Sequence, residues 1–327
     1  MKFLKRHYLY IVFILLGFTA GALYFGIPHT KLKSSLSEEK CSYSLINPLR
    51  CGENQPEQVE YTVFKKELLA ELEKEKKLGK ISNASLYFRD LSNGPTFYFN
   101  EQEDFAPMSL LKLPTMVAVY KTVEYNPELL KEKLRTPMGF AQNSQVMDAE
   151  KTLKPNTEYT LDELIRYMIV YSDNRATDML VAWLETKGTN LEVIRRTMSD
   201  LGIVGYEADL NNTKITVKQY ASIFRILYNS SYLNPEMSER ALAILEESEF
   251  ADGLTGDLAS DIKVAHKFGV RAYVEGEQQL HDCGIVYFKP SPYMLCIMTR
   301  GVNYADLSSY IKKTSKAVFE EVKERSE

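Results

Sequence analysis

Cysteine is scarce in this chain, with four in 327 residues and no CxxC pair. That excludes a small disulfide-stapled scaffold. Histidine is as scarce, with four. No His or Cys cluster has the spacing of a zinc site, so neither metal nor cofactor is expected. An excess of positive charge is also missing. Lys plus Arg total 40 against 44 for Asp plus Glu, a formal net charge of −4, which argues against nucleic acid as a partner. Sixteen glycines and 12 prolines are too few for a collagen-like or low-complexity chain. There is no internal repeat. No G-x-S-x-G motif supports a Ser-His-Asp arrangement. What remains is ordinary globular usage, 45% hydrophobic and 26% charged, at a length for one large domain or two modest ones.

Long apolar runs are rare, and the one present lies at the N-terminus. Tyr8 to Ile27 carries no charge and follows Lys2, Lys5 and Arg6. About 20 apolar residues suffice for a helix to cross a bilayer core. Residues 1–28 therefore read as an uncleaved signal-anchor, with a cleaved signal peptide as the alternative. Lys31, Lys33 and Lys40 balance the basic residues ahead of the run, so flanking charge does not set the orientation. A long domain after an N-terminal span is normally exported. The expected location is a single-pass cell-membrane protein with its domain outside the cytoplasm. Residues 29–59 are polar and irregular and read as a stalk. Within it, Cys41 and Cys51 are equally compatible with a loop-closing disulfide and with two free thiols.

From Glu60 onward the pattern is regular. Phe64, Leu68 and Leu72 recur every four residues, which predicts an amphipathic helix over 60–77 that Gly79 ends. Strands are predicted from Ala84 and from Thr96, joined by the turn residues Ser92, Asn93, Gly94 and Pro95. The block from Ser109 to about Ala259 is helical in pattern. Helices are expected over 109–125, 161–170, 175–185, 216–228 and 235–247, the last capped by Asn234 with proline at its first position. Three strands return over 261–268, 279–288 and 293–300. A final helix over 306–323 has Asn303 as its cap. Strand pairs from opposite ends of the chain predict an α+β fold. Its five-stranded antiparallel sheet is flanked by terminal helices, with an all-helical subdomain inserted over about 109–259. Cys283 and Cys296 fall on neighbouring strands and read as buried small hydrophobes rather than a redox pair.

Three short motifs carry chemistry. Ser109-Leu110-Leu111-Lys112 stands where a hydrophobic helix begins. The same S-x-x-K pattern at Ser37, Ser260 and Ser309 lacks that context. A three-residue spacing puts both side chains on one helix face, so the amine can reach the hydroxyl. A serine is a poor nucleophile until a base takes its proton, and a lysine with a depressed pKa can be that base. Taken alone, an N-cap serine beside a solvated lysine explains the motif as well. Ser172-Asp173-Asn174 follows an apolar helix, and alone it would be a helix stop and cap. Lys267-Phe268-Gly269 lies on a predicted strand. There alternation sends Lys267 and Phe268 to opposite faces, and Gly269 lets a ligand approach the backbone.

Together, in this order and at separations of 63 and 95 residues, the three motifs resemble the S-x-x-K, S-D-N and K-T-G of the penicillin-recognising serine hydrolases. The likeness is to the class A β-lactamase-like family in particular, and covers residues 60–327. It implies an acyl-enzyme on Ser109, with Lys112 helping to deprotonate it and Ser172 passing a proton to the leaving nitrogen. Asn174 would hold the substrate's amide, and Lys267 its carboxylate. The backbone N–H groups of Ser109 and Val270 would form the oxyanion hole.

Two departures stand out. Phe268 replaces the usual Thr or Ser, removing a hydroxyl expected to bind the substrate carboxylate, for which Arg271 could compensate. The deacylating glutamate of the family matches Glu207 in Glu207-Ala208-Asp209-Leu210-Asn211, although the following loop is short. Glu163 and Asp178 are weaker alternatives. His266 is expected to face away from the site. His281 and Asp282 read as a hydrogen-bonded pair at a strand start. The function expected is a membrane-anchored, monomeric serine β-lactamase acting on a β-lactam or a peptidoglycan peptide. The alternatives are a penicillin-binding D-Ala-D-Ala peptidase and a non-catalytic peptidoglycan-binding relative.

Overall fold

The strands predicted at the two ends of the domain meet in one sheet. The computed structural model describes residues 61–92, 96–138, 151–189, 192–203, 213–271 and 276–326, all within the unit Ser42–Glu327. Helix α1, Thr62–Lys77, leads into β1, Asn83–Asp90, and β2, Thr96–Phe99. Near the C-terminus follow β5, Lys263–Arg271, β6, Gln278–Tyr287, and β7, Tyr293–Gly301, then helix α8, Tyr304–Ser326. The sheet order is β2-β1-β7-β6-β5, and every pairing is antiparallel. The late strand β7 thus lies against the early strand β1, and β5 forms one edge.

Alternation along the strands builds two cores. Tyr293, Leu295 and Ile297 of β7 join Leu86 and Phe88 of β1 against Phe64, Leu68 and Leu72 of α1 and Leu307, Ile311 and Val318 of α8. Met294, Cys296 and Met298 face the other way, into the core of the helical block. Both faces are covered, which is why these strands read as nearly continuous apolar runs.

The helical block comprises α2, Lys112–Val123, α3, Leu161–Val170, α4, Asn174–Leu184, α5, Glu192–Asp200, α6, Val217–Tyr228, and α7, Pro235–Glu246. Capping fixes several starts. Thr160 and Thr216 each form a capping box, with Glu163 and Gln219 respectively, and Asn234 accepts from the Met237 N–H. Asn303 accepts from the Ala305 N–H at the start of α8.

Several expectations need correction. The single helix predicted over 109–125 is a 3-10 turn, Met108–Leu111, followed by α2. Helix α5 and the two-stranded pair of β3, Lys133–Arg135, with β4, Glu158–Thr160, were not predicted. Three-residue strands are too short to show a period. Cys283 and Cys296 are not separate small hydrophobes. The β6–β7 register sets them opposite each other and they form a disulfide. His281 and Asp282 are not paired together, because adjacent strand residues point to opposite faces. Asp282 bonds His266 instead, and His281 bonds the Ala106 carbonyl.

The membrane expectation is also corrected. Among the described residues no helix is long and apolar enough to cross a membrane. The longest, α8, has Lys312, Lys313, Lys316, Glu320, Glu321 and Lys323 along it, and charges of that number are excluded from a bilayer core. The fold of the described residues therefore contains no transmembrane helix. Membrane partnership, single-pass topology and the cell-membrane location are withdrawn with it. The run Tyr8 to Ile27, the stalk, Cys41, Cys51 and the 93–95 part of the first turn lie outside the described residues.

Phe88 tests the terminal-helix core. It is fully buried among Tyr61, Phe97 and Tyr293. Phe88→Ala should lower the unfolding free energy by about 3–5 kcal/mol in a urea titration. A loss under about 1 kcal/mol would mean that this face repacks freely.

Candidate active site

Each of the three motifs sits on a different element, and the sheet edge brings them together. The segment ahead of Ser109 is tied down from several sides. Phe105 exchanges two backbone hydrogen bonds with Ile215. The Ala106 N–H donates to Gln279 Oε1 at 3.1 Å, and the Ala106 carbonyl accepts from His281 Nε2 at 3.1 Å. His281 Nδ1 in turn accepts from the Thr299 N–H at 3.3 Å. With one ring nitrogen donating and the other accepting, the imidazole is neutral. Burial pushes its pKa down to about 4. Met108 is left-handed at φ 50°, and the 3-10 turn then presents Ser109. Tyr220 of α6 donates to the Leu110 carbonyl at 3.0 Å.

Gly269 of β5 completes this support. A Cβ there would lie 3.0 Å from both Leu110 Cγ and the Pro107 carbonyl oxygen. The glycine expected to admit a ligand therefore admits the Ser109 turn. Val270, the next residue, lies half-buried on the same edge strand.

Lys112 opens α2 and is buried. Its Nζ donates to Ser109 Oγ at 3.4 Å, to Ser172 Oγ at 3.1 Å and to the Ser172 carbonyl. Burial pushes its pKa down to about 7, while the charges of Asp173 and Asp178 pull it back up. Ser172 lies in the middle of the α3–α4 connection with φ 55°, a left-handed conformation uncommon for serine. Asp173 holds that turn. Its carboxylate accepts from the N–H groups of Arg175 and Ala176 as the N-cap of α4, and from the Thr152 hydroxyl and Leu153 N–H of the segment ahead of β4.

Lys267 closes the chain of contacts. Its Nζ donates to Ser172 Oγ at 3.1 Å and to the Phe268 carbonyl at 3.2 Å. It is fully buried. Burial first, and the Lys112 charge second, hold its pKa well below the ordinary lysine value. A continuous path Ser109–Lys112–Ser172–Lys267 results. The Phe268 ring is also buried, stacked on Phe250 at 3.9 Å, so β5 offers no hydroxyl at that position.

The other expected residues are placed as follows. Asn174 begins α4, half-buried beside Ser172. Asp178 lies one turn further along α4. Burial raises its pKa and Lys112 opposes that rise. Glu163 is committed to the capping box of α3, where it accepts from the Thr160 N–H. Arg271 ends β5 opposite Gln279. His266 faces away from the site, as alternation predicts. Glu207 lies outside the described residues. Sequence reasoning missed Gln279, His281 and Tyr220 as supports of the Ser109 turn, because contacts more than 100 residues apart in sequence leave no local pattern. Asp173 was within reach, since it stands inside the S-D-N motif and precedes a helix.

A hydrogen-bonded Ser-Lys-Ser-Lys path, buried from Lys112 onward, between an antiparallel sheet and a helical block defines a serine hydrolase fold of β-lactamase type. The chain belongs to the β-lactamase enzyme family, whose model matches residues 65–322. Among solved structures the chain is similar to PBP-A, at 20% identity and TM-score 0.67, covering 83% of this chain and 100% of that one. It is similar to a β-lactamase from Chitinophaga pinensis, at 18% identity and TM-score 0.69, covering 78% and 99%. It is also similar to the TLA-3 extended-spectrum β-lactamase, at 17% identity and TM-score 0.69, covering 79% and 98%. At these identities the likeness shows the fold. No curated protein matches the sequence. No described helix supports the membrane-anchored form of the enzyme expected from the sequence.

His281 gives this support a pH signature. Its folded pKa of about 4 lies below the ordinary 6.5. Between those values the unfolded chain binds more protons, so stability is full above about 6.5 and falls as pH drops toward 4. Urea unfolding at pH 7 and pH 5 should show the loss, about 2 kcal/mol for a pKa gap of this size. His281→Gln, which cannot protonate, should flatten the dependence. An equally steep dependence in the variant would assign it elsewhere.

Proposed function

We propose that residues 60–327 form an acyl-transfer serine hydrolase that opens an amide of the β-lactam type, with Ser109 as nucleophile. The observation that carries this reading is the hydrogen-bonded path from Ser109 through Lys112 and Ser172 to Lys267, with Lys112 poised to be neutral near pH 7. Neutral Lys112 takes the Ser109 proton as Oγ forms a bond to the carbonyl carbon. The N–H groups of Ser109 and Val270 receive the developing oxyanion, a contribution of about 3–4 kcal/mol in comparable sites. As the C–N bond breaks, Ser172 gives its proton to the nitrogen and recovers one from Lys112. Asn174 orients the substrate's amide. Lys267 supplies positive charge next to Ser172 and toward the substrate carboxylate.

Release of the acyl group needs a base for water. Glu207 is proposed for it, on its match to the family's segment. A second reading is a penicillin-binding peptidase that acylates and turns over slowly. It is favoured by Phe268, whose buried ring removes the hydroxyl that would help seat a substrate carboxylate.

Intact-mass spectrometry of the chain with a penicillin tests both. An adduct mapping to Ser109 is expected, and Ser109→Ala should abolish it and cut turnover by about 10⁴-fold or more. An adduct that decays with released product identifies a β-lactamase. A lasting adduct identifies the peptidase-like reading. Undiminished hydrolysis by Ser109→Ala would overturn both.

A further inference from the structure

Where the resembled motif has a hydroxyl, this chain has a buried ring, and that ring touches Lys267. The two side chains leave β5 on opposite faces, as alternation requires. β5 is an edge strand, however. No further strand separates its two sides, and the long lysine stem can bend round the edge. Lys267 Nζ lies 3.9 Å from the centre of the Phe268 ring. That is well inside the ~6 Å over which an ammonium is attracted to the negative face of an aromatic ring.

The other face of the ring is occupied. Phe250 stacks on Phe268 with the ring centres 3.9 Å apart and the planes 12° apart. Two groups cannot share one face at that distance, so Phe268 lies between the Phe250 ring and the ammonium. The segment that carries Phe250 is itself fixed. The Phe250 carbonyl accepts from the Thr255 hydroxyl at 3.0 Å. The Leu254 N–H donates to Asp282 at 2.8 Å, and the Leu254 carbonyl accepts from the Ser315 hydroxyl at 2.7 Å. A Cβ on Gly253 would lie 2.9 Å from Phe250 Cε1 and 2.0 Å from Asp282 Oδ2, so this close approach needs glycine.

Lys267 has no bonded counter-charge. Its hydrogen-bond acceptors, the Ser172 hydroxyl and the Phe268 carbonyl, are both neutral, and among the described residues no carboxylate is in ion-pair contact with it. Burial and the charge of Lys112 on α2 disfavour the ammonium, and Asp282 of β6 favours it from the other side of the sheet. Asp173 and Asp178 act on Lys112. Glu246 of α7, which also packs on β5, is paired with Lys263. The one group in direct contact that prefers a cation to an amine is the Phe268 ring.

We infer that Phe268, backed by Phe250, is the positioning residue of Lys267, holding the ammonium beside Ser172 through a cation–π contact in place of the hydroxyl of the resembled motif. Its part in the reaction rests on the acyl-enzyme reading above.

Fluorination of the ring tests this, because each fluorine withdraws charge from the ring face while changing its volume little. The full chain is made with mono-, di- and trifluorophenylalanine in place of Phe268, and Lys267 Nζ is titrated by ¹⁵N NMR. The wild type should be an ammonium at pH 7. The midpoint should fall with each fluorine, by one unit or more across the series, a tenfold shift toward the amine. Phe268→Leu, apolar but without a π face, should fall at least as far. In acylation by a fluorescent penicillin the alkaline limb should move down with the midpoint, while the acid limb set by Lys112 stays. A midpoint that ignores the fluorines, or a neutral amine at pH 7 in the wild type, overturns the contact. A falling midpoint with an unmoved alkaline limb overturns its part in the reaction. The titration needs no substrate, so a wild type that is never acylated would count against the acyl-enzyme reading and leave the midpoint to decide the contact.

Discussion

Two lysines share one serine hydroxyl, and the rest of the site is arranged around that contact. Lys112 and Lys267 both donate to Ser172 Oγ at 3.1 Å, and both are buried. Two ammonium groups this close in a poorly solvated site cannot both hold their protons cheaply. Burial depresses the pKa of both lysines, and the Lys112 charge lowers that of Lys267 further; in the proposed reading a depressed lysine is what Ser109 requires as a base. In the proposed reading, burial that would be a liability in a structural protein is the source of the reactivity.

The fold enforces that contact through long-range pairing. Lys267 lies on the edge strand β5 and Ser172 on the α3–α4 connection. Lys112 begins a helix whose approach is set by the turn resting on Gly269. Asp173 ties the S-D-N turn to both α4 and the 152–153 segment. Gln279 and His281 tie the Ser109 turn to the sheet. The helical block and the sheet are thus joined at the site by buried polar bonds. Such networks specify one arrangement only when every member is satisfied.

Much of this was legible in the sequence. Four-residue spacing in Phe64, Leu68 and Leu72 revealed α1, and proline after Asn234 revealed α7. The three motifs, read together, located Ser109, Lys112, Ser172, Asn174 and Lys267, and strand alternation placed His266 on the far face. What was not legible depends on register or on distance. Nothing local indicates that Cys283 meets Cys296, that Asp282 meets His266, or that Tyr220 reaches Leu110. Helix α5 escaped because its apolar positions are few, with Ile194, Thr197 and Met198 as its buried residues. The apolar run at the N-terminus gave a membrane expectation that no described helix supports.

Phe268 is the place where this chain differs most from the pattern it resembles. Its ring belongs to the terminal-helix core, stacked on Phe250. In the proposed reading, seating of a substrate carboxylate therefore falls to the charge of Lys267 rather than to a neighbouring hydroxyl. The account as a whole turns on the protonation of Lys112, which ¹⁵N NMR of its Nζ across pH 5 to 11 measures directly. A midpoint near 7 is expected from its burial. A midpoint near the ordinary lysine value of 10.5 would leave Lys112 an ammonium at neutral pH, unable to take the Ser109 proton, and would contradict the account.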